Sequence, residues 1–439
     1  MNQVLTIGQI VNTGSSGQPC KIGQFLGGGG QGEVYRADFN GKPVAVKWYF
    51  QQTATAEQRI GLEKLITAGP PNDRFLWPME IMQADNVPGF GYLMPLREPR
   101  YKGIVDLMKR RVEPSFKTLA KAGLQLADSF HQLHAKGQCY RDISFGNVFF
   151  DPQTGEVLIC DNDNVAFDGV ATSGVLGTPR FMAPEIVRGE AAPSTQTDLF
   201  SLAVLLFYMF MVHHPLEGKK EASIHSFDLP AMTKLYGTEP LFIFDPQDNS
   251  NAPVAGYQDN ALAFWPIYPR YLQNLFTKAF TEGIRDPQHG RVRETEWRTA
   301  LARLRDSIVY CSNCGVENFY DADVLRETGN PSQCWACKQN LVLPFRLRVG
   351  KHVVLLNYDT QLFHHHIDDN RLYDYTQPVA EVARHPQYTS VWLLKNLTSE
   401  KWVCTLTDGT VKDVPPGRAL PLANGTRVNF GKIEGEIRI

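Results

Sequence analysis

The chain has 439 residues, 43% hydrophobic and 21% charged, the make-up of an ordinary globular protein long enough for about two to four domains. A formal net charge of −2, with no long block of one sign, gives no reason to expect a nucleic-acid or anionic-membrane partner. No basic leader with an apolar run opens the chain, and its longest apolar run, residues 202–212, is short of the roughly 20 needed to cross a bilayer, so a cytoplasmic protein without a membrane span is expected.

In chain order, residues 1–20 alternate apolar positions around a Gly/Ser turn, enough for a hairpin or an extra edge strand. Leu26-Gly27-Gly28-Gly29-Gly30-Gln31-Gly32-Glu33-Val34 then fits Gly-x-Gly-x-x-Gly-x-Val. In a dinucleotide fold such glycines open a helix, but here residues 33–39 read as a strand running into Asn40-Gly41, a strong hairpin signal. Pairing about that turn sets Lys47 opposite Val34, directly under the glycine loop.

Residues 54–68 predict a helix with apolar Ile60, Leu62, Leu65 and Ile66, and residues 116–136 a longer one whose apolar stripe delivers the chain to Tyr140. Core packing explains that stripe fully. Val148-Phe149-Phe150 and Val157-Leu158-Ile159-Cys160 read as strands about the turn at residues 151–155, and folding them together puts Asn147 beside Cys160 and Asp161. Two hard oxygen ligands then meet at the open end of the hairpin, as Mg²⁺ with a bound triphosphate requires. Asp142 sits in the preceding loop, where a carboxylate can orient an incoming hydroxyl and accept its proton.

Tyr140-Arg141-Asp142 with Asn147 five residues on, and Asp161 after a hairpin, resembles the catalytic loop and metal-binding aspartate of the protein kinases. The glycine run, Lys47, Gly177-Thr178, Met182-Ala183-Pro184-Glu185, Asp198 and Arg291 stand in that family's order. The resemblance implies ATP covered by Gly27, Gly29, Gly32 and Val34, with Lys47 on the α- and β-phosphates. It implies that Glu63, or alternatively Glu57, pairs with Lys47 from the 54–68 helix. Met94 would line the back of the adenine pocket, with the Pro95 carbonyl and the Arg97 amide facing the base. Asp142 would be the catalytic base, and Asn147 and Asp161 the ligands of Mg²⁺ or Mn²⁺.

Arg141 would meet a phosphate on Thr172 or Ser173 of the activation segment, and Thr178 favours a Ser/Thr over a tyrosine kinase. Asp198 would brace the catalytic loop and Arg291 would pair with Glu185. Three departures stand out: Tyr140 replaces His, Ser144 replaces a phosphate-contacting Lys, and Asp161-Asn162-Asp163 replaces Asp-Phe-Gly. The last two keep a second reading open, a nucleotide-binding pseudokinase scaffold.

Of eight cysteines, four form Cys311-x-x-Cys314 and Cys334-x-x-Cys337, spaced to give one structural Zn²⁺ four thiolates rather than a redox pair or disulfides. From Leu341 to Ile439, short strands between turns such as Asp408-Gly409 and Asn424-Gly425 predict a small all-β sandwich. Residues 392–399 and 424–431 resemble the end of a forkhead-associated domain, a phosphothreonine-binding family whose Gly-Arg, Ser and Asn have no evident positions here. His364-His365-His366, with no fourth ligand in view, reads as a solvated loop.

The expected fold is α+β: a bilobal protein-kinase fold at 1–308 (N-lobe about 1–94, C-lobe about 98–308, insertion about 213–265), a zinc ribbon at 309–340 and a forkhead-associated-like β-sandwich at 341–439. This order of modules resembles eukaryotic-like bacterial Ser/Thr kinases of tellurite-resistance and stress systems. That analogy implies protein substrates, with a PP2C-type phosphatase and a von Willebrand-type protein as partners.

Overall fold

Eight residues, Lys42–Tyr49, form a strand whose last six are buried on both faces, and the chain before and after it wraps into a barrel around one of those faces. In the computed structural model, which describes residues 3–168 and 176–439, six strands close this barrel. They are β1 (Ile10–Thr13), β2 (Pro19–Gly28), β3 (Gly32–Phe39), β4 (Lys42–Tyr49), β5 (Glu80–Gln83) and β6 (Gly91–Pro95), in the order β1-β2-β3-β4-β6-β5. Pairing of Asn12 with Gln83 closes it. The predicted N-terminal hairpin is therefore β1–β2.

Val44, Val46 and Trp48 of β4 point into the barrel with Tyr35, Met82 and Leu93; Ala45 and Tyr49 face the other way, with Tyr92, Met94 and Leu62. Period-two alternation puts Lys47 on this second face. At the β3–β4 turn, Asn40 and Gly41 both take positive φ, 54° and 75°, as a two-residue hairpin needs, and the predicted Val34–Lys47 register follows. Gly32 has a packing reason as well, since a Cβ there would sit 2.2 Å from the Trp48 carbonyl oxygen.

Helix α1 (Ala56–Ala68) begins at Thr55, whose hydroxyl caps the Gln58 amide, ends at Gly69, and buries Leu62 and Leu65. Further on, Lys102–Gly103, Val148–Phe150 and Val157–Ile159 form a three-stranded sheet in which Ile159 pairs with Val148. The helix Thr195–Met211 is apolar on every side because all sides are buried, and a Ser194–Thr197 capping box starts it. Residues 213–265 are ordered by buried polar contacts: the Asn251 amide donates to the Leu216 and Leu241 carbonyls, and Tyr236 donates to Glu217.

By compactness the chain divides into Met1–Pro114 with Gln125–Leu262 and Leu275–Thr295, and Ser115–Leu124 with Ala263–Asn274 and Glu296–Ile439. In the second unit a six-stranded and a four-stranded sheet face each other across a core of Leu347, Leu362, Ala380, Leu394, Trp402, Val428 and Ile437. The C-terminal region is thus the expected all-β structure. Gly409 and Gly425 both adopt the positive φ expected of its turns. Among the described residues, no helix is long and apolar enough to cross a membrane.

The histidine run departs from expectation. His364–Ile367 is a short helix with His365 and His366 buried, and Asp306, 58 residues earlier in the chain than His364, joins them within 4.8 Å. Each ring accepts a backbone N–H at Nδ1, from Tyr373 to His365 and from Phe363 to His366, so each Nε2 carries the proton. His366 spends its proton on Asp306, at 3.2 Å. His365 Nε2 is buried with no hydrogen-bond partner among the described residues, so the run is packed core at this point and not the solvated loop expected.

Candidate active site

Beneath the glycine loop lies a cleft of about 610 Å³. Gly27, Gly29, Gly32, Val34, Lys47, Met94, Pro95, Arg97, Asp142 and Asp161, far apart in sequence, all line it. The cleft's floor is the hairpin end. The Cys160 amide bonds the Asn147 carbonyl at 2.8 Å, which sets Asn147 beside Asp161 as the folding of those strands requires. Asn147 donates through Nδ2 to the Asp142 carbonyl (2.8 Å) and carboxylate (3.0 Å), and Thr178 Oγ1 donates to the other Asp142 oxygen at 2.7 Å. Asp142 is thereby held from two sides at the cleft's edge.

Its loop is braced from below. Asp198 accepts the Tyr140 amide (2.5 Å) and the Arg141 amide (2.9 Å), and His134 Nε2 lies 3.1 Å from it. Burial works against a charged His134, but hydrogen bonds to Asp198 and Glu294 win and raise its pKa to about 9. Arg141 takes φ = 73° and donates through Nε to the Asn164 carbonyl. Arg291 Nη2 donates to both Glu185 oxygens at 2.8 Å, a buried ion pair. Tyr140, standing for the usual His, packs against Phe130 and donates to the Cys160 carbonyl.

The expected partner of Lys47 is not where the helix pattern put it. Glu63 pairs with Arg59 at 3.0 Å, and about half its side chain is exposed; Glu57 is fully exposed. Leu62 and Leu65 take the inner face of α1, and one residue along a helix is a turn of about 100°, which carries Glu63 away from the barrel. Lys47 instead meets Asp163, at 3.0 Å and 2.8 Å to its two oxygens, with Asp161 at 3.6 Å.

Asp163 is fully buried, and it also accepts the hydroxyls of Tyr49 (2.5 Å) and Tyr92 (3.0 Å). Burial opposes its charge, yet the Lys47 ammonium and these donors hold its carboxyl below the usual range. Asp161 is shifted the other way: burial and the negative charges of Asp163 and Asp142 raise its pKa against the pull of Lys47. A divalent cation at Asp161 would relieve that crowding. Between them Asn162 is buried, donating to the Ile159 carbonyl. The glycine loop reaches in through Gln31, which accepts from Lys47 at 3.3 Å.

Asp163 is not legible as an anchor from the motif alone, because Asp161-Asn162-Asp163 shows first the loss of its usual Phe and Gly. A usable signal was there. The β4–β6 pairing sets Tyr92 opposite Lys47, and Tyr49 lies on the same face, so three donors converge where a buried acceptor is needed. Thr172 and Ser173 lie outside the described residues. Thr178 is placed, on Asp142.

In the second unit, Cys311 Sγ lies 3.6 Å from Cys337 Sγ, Cys314 Sγ lies 3.7 Å from Cys334 Sγ, and all four fall within 4.8 Å of one another. Four sulfurs about 2.3 Å from a central ion stand about 3.8 Å apart at the edges of a tetrahedron, whereas a disulfide would hold them near 2 Å. The Cys₄ cluster therefore fits a metal. Asn318 donates to Cys334 Sγ at 3.5 Å, and Trp335 rests on Phe116 and donates its indole N–H to the Glu317 carbonyl.

A family model described as "Protein kinase domain" matches residues 20–263. A probable serine/threonine-protein kinase of Dictyostelium discoideum is 27% identical over 231 residues, 51% of this chain and 14% of its own. Serine/threonine-protein kinase PknD of Chlamydia muridarum is 23% identical over 251 residues, 46% of this chain and 26% of its own. A CBL-interacting protein kinase of rice (Oryza sativa subsp. japonica) is 22% identical over 236 residues, 48% of this chain and 51% of its own. The chain thus covers about half or less of the length of these relatives.

Proposed function

The chain belongs to the protein kinase family, and from that premise we propose that it is a serine/threonine protein kinase transferring the γ-phosphoryl of ATP to protein hydroxyls. The observation that carries this reading is that Lys47, Asp142 and Asp161 open onto one cleft under the glycine loop. Met94, Pro95 and Arg97 receive the adenine, and Gly27, Gly29, Gly32 and Val34 close over the triphosphate. Lys47 neutralises charge on the α- and β-phosphates. Asn147 and Asp161 would hold Mg²⁺ or Mn²⁺, which when bound neutralises phosphate charge.

Asp142, oriented by Asn147 and Thr178, accepts the proton of the attacking hydroxyl as its oxygen bonds to the γ-phosphorus and ADP leaves. Most of the acceleration then comes from positioning and charge stabilisation. The pseudokinase alternative, motivated by Ser144 and Asn162, is weakened by a floor that keeps Asp142, Asn147 and Asp161 together. Radiolabelled ATP with Mg²⁺ and a generic protein substrate decides between them: Asp142→Ala abolishes labelling if this reading holds, and equal labelling by both proteins contradicts it.

The domain division at 1–308, 309–340 and 341–439 and a cytoplasmic location belong to the same reading. So do a forkhead-associated-like module that recruits partners or substrates, and a PP2C-type phosphatase and a von Willebrand-type protein as those partners. An Arg141-bound phosphate on Thr172 or Ser173 is tested by a Thr172→Ala/Ser173→Ala double variant, whose unchanged activity would remove it. The Cys₄ cluster takes a structural Zn²⁺. Elemental analysis of the purified chain is expected to find one zinc per chain, lost in Cys334→Ser, and a metal-free wild type would refute it.

A further inference from the structure

In the phosphate-binding lysine's usual setting, a glutamate on the neighbouring helix holds it in place. Here that helix, α1, brings no carboxylate to Lys47, because Glu57 and Glu63 both face solvent. Its inner face offers an amide instead: Gln58 Nε2 donates to the Tyr49 hydroxyl at 3.0 Å. That hydroxyl is the one donating to Asp163. The carboxylate that meets Lys47 is thus Asp163, and Gln58 of the helix reaches it only through the Tyr49 hydroxyl.

We propose that Asp163 is the positioning residue for Lys47 in phosphoryl transfer, so that one short turn, residues 161–163, supplies both a metal ligand and the lysine's anchor, and helix α1 supplies neither. Three features support this. Asp163 spends both oxygens on Lys47 and two tyrosine hydroxyls and is sealed from solvent, so it is not a second cation ligand facing the cleft. Asp161, two residues away, keeps about two fifths of its side chain exposed in the cleft, as a metal ligand must. The turn between them is fixed, with Asp161 at φ = 48° and Asn162 tied to the Ile159 carbonyl. The lysine and the metal ligand are therefore set relative to each other by the backbone of one turn, whatever the position of α1.

The inference rests on the proposed phosphotransfer, and its test separates the two. On the full-length chain, Mg-ATP affinity by calorimetry and kcat/KM for protein labelling are measured for wild type, Glu57→Gln/Glu63→Gln, Asp163→Asn and Asp163→Asn/Gln58→Glu. Each variant is assayed well below its own melting temperature. Loss of the lysine's anchor is expected to lower kcat/KM by about 10²-fold and to weaken ATP binding. The helix double variant should stay within about twofold of wild type in both readouts, since neither carboxylate touches Lys47.

Returning a carboxylate from the helix side, in Asp163→Asn/Gln58→Glu, should restore at least about tenfold of what Asp163→Asn loses. A merely structural role for Asp163 would give no such rescue. Should Asp163→Asn fail to fold, the helix double variant still decides. Loss of ATP affinity in Glu57→Gln/Glu63→Gln, wild-type behaviour of Asp163→Asn, or no rescue by Gln58→Glu would each overturn the inference. Absence of labelling by the wild type would refute the phosphotransfer reading alone, with ATP affinity still reporting on the anchor.

Discussion

The floor of the cleft and the wall behind Lys47 are built from equally polar residues, yet they differ in what surrounds them. On the floor, Asp142, Asn147 and Asp161 lie within one stretch of about twenty residues; Asp142 and Asp161 line the cleft, while Asn147 is buried and donates to Asp142. In the wall, Lys47, Tyr49, Tyr92 and Asp163 come from three distant segments and exclude solvent. The difference teaches that the same charge has opposite effects on stability in the two places. Asp161 is a strained carboxylate, raised by burial and by its negative neighbours, whereas Asp163 is a stabilised one, lowered by Lys47 and its donors against burial.

Neutralising each should therefore pull activity and stability in different combinations. Asp161→Asn is expected to cost about 10³-fold in kcat while leaving the melting temperature unchanged or higher. A large drop in melting temperature would show that Asp161 is a structural charge instead. Asp163→Asn should lower both, because it leaves the buried Lys47 ammonium with the more distant Asp161 as its one carboxylate among the described residues. The stability loss is about 3 kcal/mol by denaturant titration, and a loss near zero would mean that the wall is not held by this pair.

The brace beneath the floor can be read through pH. His134 has a folded pKa of about 9 against 6.5 for a free imidazole, so its protonation favours the fold. That stabilisation is complete below about pH 6.5 and is lost as pH rises through 9, amounting to up to about 3 kcal/mol. Melting curves between pH 6 and 10 should show this decline for wild type and a flatter profile for His134→Gln; parallel profiles would contradict it. Smallest of all, Tyr92→Phe removes one donor from Asp163 and should cost about 1.5 kcal/mol of stability with activity largely kept. An activity loss as large as that of Asp163→Asn would make Tyr92 part of the anchor.

How far the sequence could be read follows the same division. The hairpin that joins Asn147 to Asp161 is local, so turn residues and strand alternation were enough to place it, and the Asn40-Gly41 turn placed Lys47 opposite Val34 for the same reason. The two Cys-x-x-Cys pairs carry their geometry in their spacing. The anchor of Lys47 depends on a contact across 116 residues and on the rotation of α1, which its weak apolar pattern did not fix. Reading Glu63 as inward was wrong by one helical position beside Leu62. The burial of His365 and His366 likewise needed Asp306, which sequence spacing cannot bring to them.

The most direct measurement is a crystal structure of the full chain with Mg²⁺ and a non-hydrolysable ATP analogue. The account predicts the triphosphate between the glycine loop and Asp161, with Lys47 touching the phosphates while its other side still rests on Asp163. A nucleotide bound elsewhere, or a Lys47 that has left Asp163 for a glutamate of α1, would contradict it.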